Sequence, residues 1–315
     1  PEGTLELPVN ASSGYKMFSD TEINDKFSFT KAFDTTDIVT MANMFENAKF
    51  TSAVYFPTSF NTENVTHMIN MFKDCESLKT LNLNSFDTEN VTDMYGMFKN
   101  CVCLKKLDLS SFSTGNVVNM SYMFYRCNNL EQLDLSSFDT INVELMDKMF
   151  RGCSKLKYLD LSSFNTANLR TMNYMFKGCT NLLSVKLDSF DTSNVDLMEG
   201  VFEHCTEIRE LDLSSFSATH AINVGKMFAY CTNLREVNLS RFNPRYAIDA
   251  TGMFFRCENL MEIYAYDFIM PRLLFGRTGF FFGCVSLPSF SPDHTDIEMA
   301  KPVEEGGYFT TPSDL

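Results

Sequence analysis

Apolar and polar positions in this chain follow two rhythms in turn. Leu78, Leu81 and Leu83 open one unit, and the two-residue alternation of 81 and 83 predicts a short strand with both leucines turned inward. The polar run Asn84-Ser85-Phe86-Asp87-Thr88 leads out of it and suits an Asx or Ser/Thr turn. Val91, Met94, Met97 and Phe98 then fall at three-and-four spacing, which predicts a short helix with one apolar face and Asn90 as its N-cap. Cys101 closes the unit and Leu104 begins the next.

The unit returns every 26 residues. Its Met-Phe-x-x-Cys mark stands at Met71-Phe72…Cys75, Met97-Phe98…Cys101, Met123-Phe124…Cys127 and onward to Met253-Phe254…Cys257. Degenerate copies extend it to Met17-Phe18, Met44-Phe45 and Phe280-Phe281…Cys284, with steps of 27 at both ends. A fixed period of this length with Leu-x-x-Leu-x-Leu inside each unit predicts a leucine-rich-repeat solenoid. The expected fold is α/β: about ten rungs of 26–27 residues, short parallel strands on the concave side, short helices on the convex side, and capped ends. Residues 1–26 read as an N-terminal cap, 27–287 as the solenoid, and 288–315 as a C-terminal cap or the start of a linker.

Stacking turns each repeat position into a column. Phe60, Phe86, Phe112 and their equivalents to Phe268 form one, and Met68, Met94 to Met198 another; together they account for much of the 31 Phe and 19 Met, and both read as core. The Thr62–Thr192 and Asn64–Asn194 columns are expected to satisfy backbone groups at the corner of each rung, because an unpaired buried group costs about 1–3 kcal/mol. Nine of the ten cysteines share a single column. They are read as buried reduced thiols rather than bridges, since parallel side chains on stacked rungs do not pair without distorting the stack. Cys103 lies off the column and is the candidate exposed thiol.

A net charge of −14 and a pI near 4.7 argue against nucleic acid or an anionic membrane surface as partner. No apolar run reaches the roughly 18 residues of a membrane span, and the opening Pro1-Glu2-Gly3-Thr4 has no signal-peptide pattern. The four histidines, His67, His204, His220 and His294, do not follow the repeat, and no nucleophile elbow, phosphate loop or metalloprotease motif occurs. The chain is therefore read as non-enzymatic, with no cofactor and no metal.

What remains is an extended recognition surface. The outward strand positions form the columns Thr80, Lys106, Gln132, Tyr158, Ser184, Glu210, Glu236, Glu262 and Asn82, Asp108, Asp134, Asp160, Lys186, Asp212, Asn238, Tyr264. The first changes residue at nearly every rung while the core columns hardly change, which is where a solenoid can encode specificity. Candidate partner contacts are Lys106, Asp108, Gln132, Asp134, Tyr158, Asp160, Lys186, Glu210 and Asp212. A second candidate is the basic island Arg235, Arg241, Arg245 and Arg256, in a chain with no arginine before Arg126. On the opposite face Tyr122, Lys148 and Tyr174 share one helix position, which suits a stabilising cation–π sandwich or a small aromatic contact patch.

The run Leu133-Asp134-Leu135-Ser136-Ser137-Phe138-Asp139-Thr140, followed by Asn-Val-x-x-Met-x-x-Met-Phe-x-x-Cys, closely resembles the 26-residue repeat of BspA-like leucine-rich-repeat surface proteins. The resemblance covers roughly residues 28–290; it departs at Ser217–Ala250, where the Asn and Thr columns lapse. It implies an extracellular or cell-surface, monomeric recognition module that adheres to a protein or glycan on a host, matrix or neighbouring cell. Two other readings stay open: a passive stalk that holds another domain, and a phage or viral attachment protein built on the same repeat.

Overall fold

The computed structural model describes residues 12–23, 34–51, 56–57, 60–266 and 268–310. Along one side run nine short strands among the described residues: β1 (Glu22–Ile23), β2 (Lys49–Phe50), β3 (Lys106–Leu107), β4 (Gln132–Leu133), β5 (Tyr158–Asp160), β6 (Ser184–Lys186), β7 (Glu210–Asp212), β8 (Glu236–Asn238) and β9 (Glu262–Tyr264). They pair in parallel as β1–β2, β3–β4, β5–β6 and β7–β8–β9, and each paired residue meets its equivalent one repeat on, as Tyr158 meets Ser184 and Leu159 meets Val185. A second parallel ladder, one residue wide, links Ser13, Thr40, His67 and Asp93 and continues rung by rung to Phe275. The described residues form a β-solenoid in register, with the Leu, Met, Phe and Cys columns facing its interior.

The expected convex helices are absent, so the α/β class is corrected to an all-β solenoid. No α-helix occurs among the described residues; two 3₁₀ turns lie at Ile297–Met299 and Val303–Glu305. The physical reason shows in residues 94–101. Met97, Lys99 and Cys101 donate their N–H groups to the carbonyls of Met94, Gly96 and Phe98, closing successive four-residue turns. The alternate N–H groups of Met94, Gly96, Phe98 and Asn100 cross to the carbonyls of Asn119, Ser121, Met123 and Tyr125 on the next rung, at 2.7–3.0 Å. A helix would keep all of these bonds within itself, from each N–H to the carbonyl four residues back. Left-handed residues at Gly96 (φ 61) and Asn100 (φ 61) also interrupt any helix. Because the turns still bring Met94, Met97, Phe98 and Cys101 to one side, they imitate the apolar spacing of a helix.

The core is a stack of rings and thiols. Phe72, Phe98, Phe124, Phe150 and Phe176 lie nearly parallel at centroid separations of 5.7–5.8 Å, each fully buried. The Phe138–Phe164–Phe190–Phe216 column runs beside them at 6.0–6.5 Å. Nine cysteines are buried and all ten are free. Each buried thiol donates to a phenylalanine carbonyl of the preceding rung, Cys101 to Phe72 at 3.1 Å and Cys153 to Phe124 at 3.1 Å. Burial pushes the Cys127, Cys179 and Cys231 thiols up to about 12. With so little thiolate at neutral pH they are poor nucleophiles. A thiol reagent is therefore expected to modify one cysteine rapidly in the folded protein, the half-buried Cys103, and all ten after denaturation. Rapid modification of several thiols under native conditions, read by mass spectrometry, would contradict the closed core.

The Thr and Asn columns hold the rungs together at the corner. Thr140 Oγ1 donates to the carbonyl of Asn165 at 2.9 Å and accepts the Asn165 N–H at 2.8 Å. Thr62 and Thr88 make the same two-way contact with Asp87 and Ser113. Asn90 is not an N-cap: its amide donates to the Glu63 carbonyl at 2.8 Å, a bond from one rung to the one before. Where the pattern lapses, the stack survives by substitution. The His220 ring contacts the Ser193 carbonyl in place of an Asn, and Ala218 stands in the Thr column while Asn243 N–H bonds the Ser217 carbonyl directly at 2.9 Å.

At the ends, Gly14 and Phe18 donate to the carbonyls of Thr40 and Met44, so residues 12–23 stack as a rung. Residues 1–11 and 24–26 of the expected N-terminal cap lie outside the described residues, as do 27–33 of the expected solenoid and 311–315 beyond it. The chain after 288 folds back on the last rung: Thr310 N–H bonds the Ile263 carbonyl, and the Phe309 ring meets Phe268 edge-on at 5.0 Å.

Candidate functional site

Strand alternation turns one apolar residue inward per rung, a leucine in β3, β4, β5 and β7, and leaves the residues on either side outside. Tyr158 and Asp160 are exposed around the buried Leu159, as Glu210 and Asp212 are around Leu211. Lys106, Asp108, Gln132, Asp134 and Lys186 are exposed as well, so all nine candidate contacts share one face of the stack. Tyr158 holds its ring 66% exposed at the centre of that face. Around it, Asp134, Asp160, Ser162, Ser184 and Lys186 line a groove of about 480 Å³ floored by Leu133, Leu135 and Leu159.

The three acids stacked on consecutive rungs of this face are partly structural. Asp108, Asp134 and Asp160 each turn one oxygen back to the N–H of the serine two residues on, at 3.0, 2.9 and 3.0 Å, which shapes the exit from the strand. Sequence reading missed these serines, Ser110, Ser136 and Ser162, although Asp-x-Ser recurs at the same place in four units, at 108–110, 134–136, 160–162 and 212–214. The Ser110 hydroxyl, then its amide, lowers the Asp108 carboxyl below the usual carboxylate range. The Ser136 amide does so for Asp134, against the like charges of Asp108 and Asp160. Lys186, 2.6 Å from Asp160 Oδ2, is the first cause of the low Asp160 carboxyl. Asp160 thus spends one oxygen on Ser162 and the other on Lys186, and the exposed Asp108 and Asp134 carboxylates lie beside that ion pair and Tyr158. Among the described residues no cluster of His, Cys, Asp and Glu is arranged to hold a metal ion.

Further along, the Tyr158 column becomes Glu210, Glu236 and Glu262, paired in register. Burial first, and then its two glutamate neighbours, raises the Glu236 carboxyl. The basic island is not brought together. Arg235 precedes β8, Arg241 follows it, Arg245 lies at the corner and Arg256 on the turn face, each in a different column. The histidines are likewise dispersed: His67 lies on the bridge ladder, His220 in the Asn column, and His204 stacks on Tyr230 at 4.3 Å. On the turn face the expected sandwich is present, with Lys148 Nζ 4.8 Å from the Tyr122 ring and 5.7 Å from Tyr174, though the shared position is a left-handed turn residue rather than a helical one.

The model of the family described as "Mycoplasma protein of unknown function, DUF285" matches residues 12–108, 81–184 and 155–266. The chain belongs to this family. The three overlapping matches follow the DUF285 repeat along the stack. Among solved structures, a leucine-rich repeat protein from Bacteroides ovatus ATCC 8483 is similar at 21% identity, covering 81% of this chain and 83% of its own, with a TM-score of 0.33. A leucine-rich repeat protein from Eubacterium ventriosum ATCC 27560 shares 18% identity over 87% of this chain and 68% of its own, TM-score 0.41. A leucine rich cell surface protein from Faecalibacterium prausnitzii A2-165 shares 14% over 78% of each chain, TM-score 0.25. No curated protein matches the chain, and among the described residues no helix is long and apolar enough to cross a membrane.

Proposed function

We propose that the protein is a non-catalytic recognition module that binds a macromolecular partner through the sheet face centred on Tyr158. The observation that carries this reading is the contrast between an invariant interior and a face whose outward residues change rung by rung from Lys106 through Gln132, Tyr158 and Ser184 to Glu210. Rigid spacing with variable chemistry suits recognition along a line. An exposed tyrosine ringed by fixed charges has the make-up of an interface anchor. A protein or glycan on a host, matrix or neighbouring cell is the partner class, and an extracellular or surface location goes with it. Both are supported by the BspA-like resemblance of the repeat. Residues 27–287 act as the recognition solenoid, and the segment from 288 closes its end.

Binding of the purified chain to arrays of matrix proteins, glycans and whole cells tests this, with a Tyr158→Ala/Asp134→Ala/Asp160→Ala variant alongside. Saturable binding that falls at least tenfold in the variant is the expected outcome. Full retention would remove the sheet face from the site, and absence of binding by the folded protein would favour a passive stalk.

A further inference from the structure

The turn face carries a feature the sheet-face reading does not use. Its first left-handed position holds residues suited to positive φ in some rungs, Asn70 (φ 53), Gly96 (φ 61), Gly200 (φ 59) and Gly252 (φ 58), and a lysine in others, Lys16 (φ 54) and Lys226 (φ 55). Three consecutive central rungs instead hold Tyr122 (φ 60), Lys148 (φ 56) and Tyr174 (φ 56). A bulky residue in that conformation costs about 1–2 kcal/mol relative to its ordinary basins. Such strain persists where the surroundings hold it, and it clusters at functional sites. Gly200 makes room for the arrangement: a Cβ there would stand 2.5 Å from the Tyr174 ring.

Three residues further along each rung, a second column adds Lys99, Tyr125 and Arg151. The two columns interlock. Lys99 lies 4.9 Å from the Tyr122 ring and 5.5 Å from Tyr125, and Arg151 lies 5.6 Å from Tyr125 and 5.7 Å from Tyr174. Lys148 Nζ donates to the Tyr122 hydroxyl at 2.5 Å. Among the described residues, none of Lys99, Lys148 and Arg151 forms an ion pair with a carboxylate. Glu199 and Glu203 stand beside Tyr174 at one end of the patch, Glu203 paired with Lys177, so in this chain of net charge −14 the local excess of cations lies over Lys99, Lys148 and Arg151. Because screening confines surface fields to about 10 Å at 0.1 M salt, that excess decides what binds there.

We propose that this patch binds a polyanionic glycan chain. The spacing favours a glycan over other anions. Rungs repeat at about 4.8 Å, so Lys99 and Arg151, with a tyrosine rung between them, lie about 10 Å apart. That distance matches the disaccharide repeat of an extended glycan bearing one anionic group per pair of sugars, and the intervening C–H faces of the sugar rings meet Tyr122 and Tyr125. An extended acidic peptide repeats on one face at about 7 Å and falls out of step. A flat anionic membrane would meet the acidic remainder of the molecule.

The test is chromatography and titration of the intact chain on heparin, hyaluronan, neutral dextran, polyglutamate and phosphatidylserine vesicles. Expected are salt-sensitive binding to heparin or hyaluronan and none to dextran. A Lys148→Gln/Arg151→Gln variant is expected to lose at least tenfold in affinity. A Lys148→Arg/Arg151→Lys variant should retain binding, which separates lost charge from lost folding. The Tyr158→Ala/Asp134→Ala/Asp160→Ala variant should bind heparin unchanged, because this site does not rest on the sheet face. Absence of binding to both anionic glycans, equal binding by the Gln variant, or tighter binding to polyglutamate or vesicles would each overturn the proposal. Sulfate as the required group would show as heparin binding alone, and carboxylate as hyaluronan binding too; either supports it.

Discussion

Phe150→Ala is expected to lower stability by about 3–5 kcal/mol, the range for removing a fully buried ring and leaving a cavity. Phe150 is completely buried between Phe124 and Phe176, 5.7 Å from each, with interplanar angles of 5° and 4°. Neither neighbour can move in to fill the gap, because each is itself held in the stack and its backbone is tied to the adjoining rung. Phe150 N–H donates to the Met175 carbonyl and Phe124 N–H to the Met149 carbonyl, both at 2.9 Å. In a solenoid the damage reaches both flanking interfaces, since each rung is stabilised mainly by its neighbours. Denaturant unfolding checks it, with exposed Tyr158→Ala as the control for substitution as such. A Phe150→Ala midpoint indistinguishable from that control would refute the ring stack as the spine of the fold.

Thr140→Val is expected to have the second large effect. Valine keeps the shape of threonine but leaves both the Asn165 N–H and the Asn165 carbonyl without their shared hydroxyl. Each group left unpaired and away from water costs about 1–3 kcal/mol. Thr140→Ser keeps the hydroxyl and gives up only a methyl, about 0.8 kcal/mol of burial. The order wild type, Ser, Val in unfolding midpoint is the expected result, and equal losses for Ser and Val would mean that the hydroxyl relay contributes nothing. The rung with Ala218 shows how the chain avoids this loss without a threonine: there the backbone closes on itself through Asn243 and Ser217.

The solenoid was legible because its columns are chemically pure. Inward leucines, the phenylalanine and cysteine columns and the corner threonines all stand in the interior as the repeat implied. The helices were misread because three-and-four apolar spacing is common to a helix and to consecutive tight turns. What separates the two is backbone sign, and Asn43, Asn70, Gly96, Asn100, Gly152 and Gly178 at recurrent turn positions carried that information. Tyr122, Lys148 and Tyr174 at the same positions masked it, since bulky residues rarely signal a left-handed backbone. Of the candidate site, the shared outward face followed from strand alternation alone. The Asp-x-Ser turns did not, because a repeated acid reads first as charge. The four arginines failed as a cluster because nearness in sequence within one rung spreads residues around its circumference, whereas steps of 26 bring them together.

The recognition role of the sheet face is tested most directly by blocking it. A Cys103→Ser chain carrying Ser184→Cys, whose outward residue pairs with Tyr158, can be labelled with a polyethylene-glycol maleimide because the other nine thiols are buried. The same label at Ile141→Cys, on an exposed corner, is the control. Binding to the cells or matrix that the unlabelled protein recognises is expected to be abolished by the label at 184 and unchanged by the label at 141. Undiminished binding with 184 blocked would contradict recognition through the sheet.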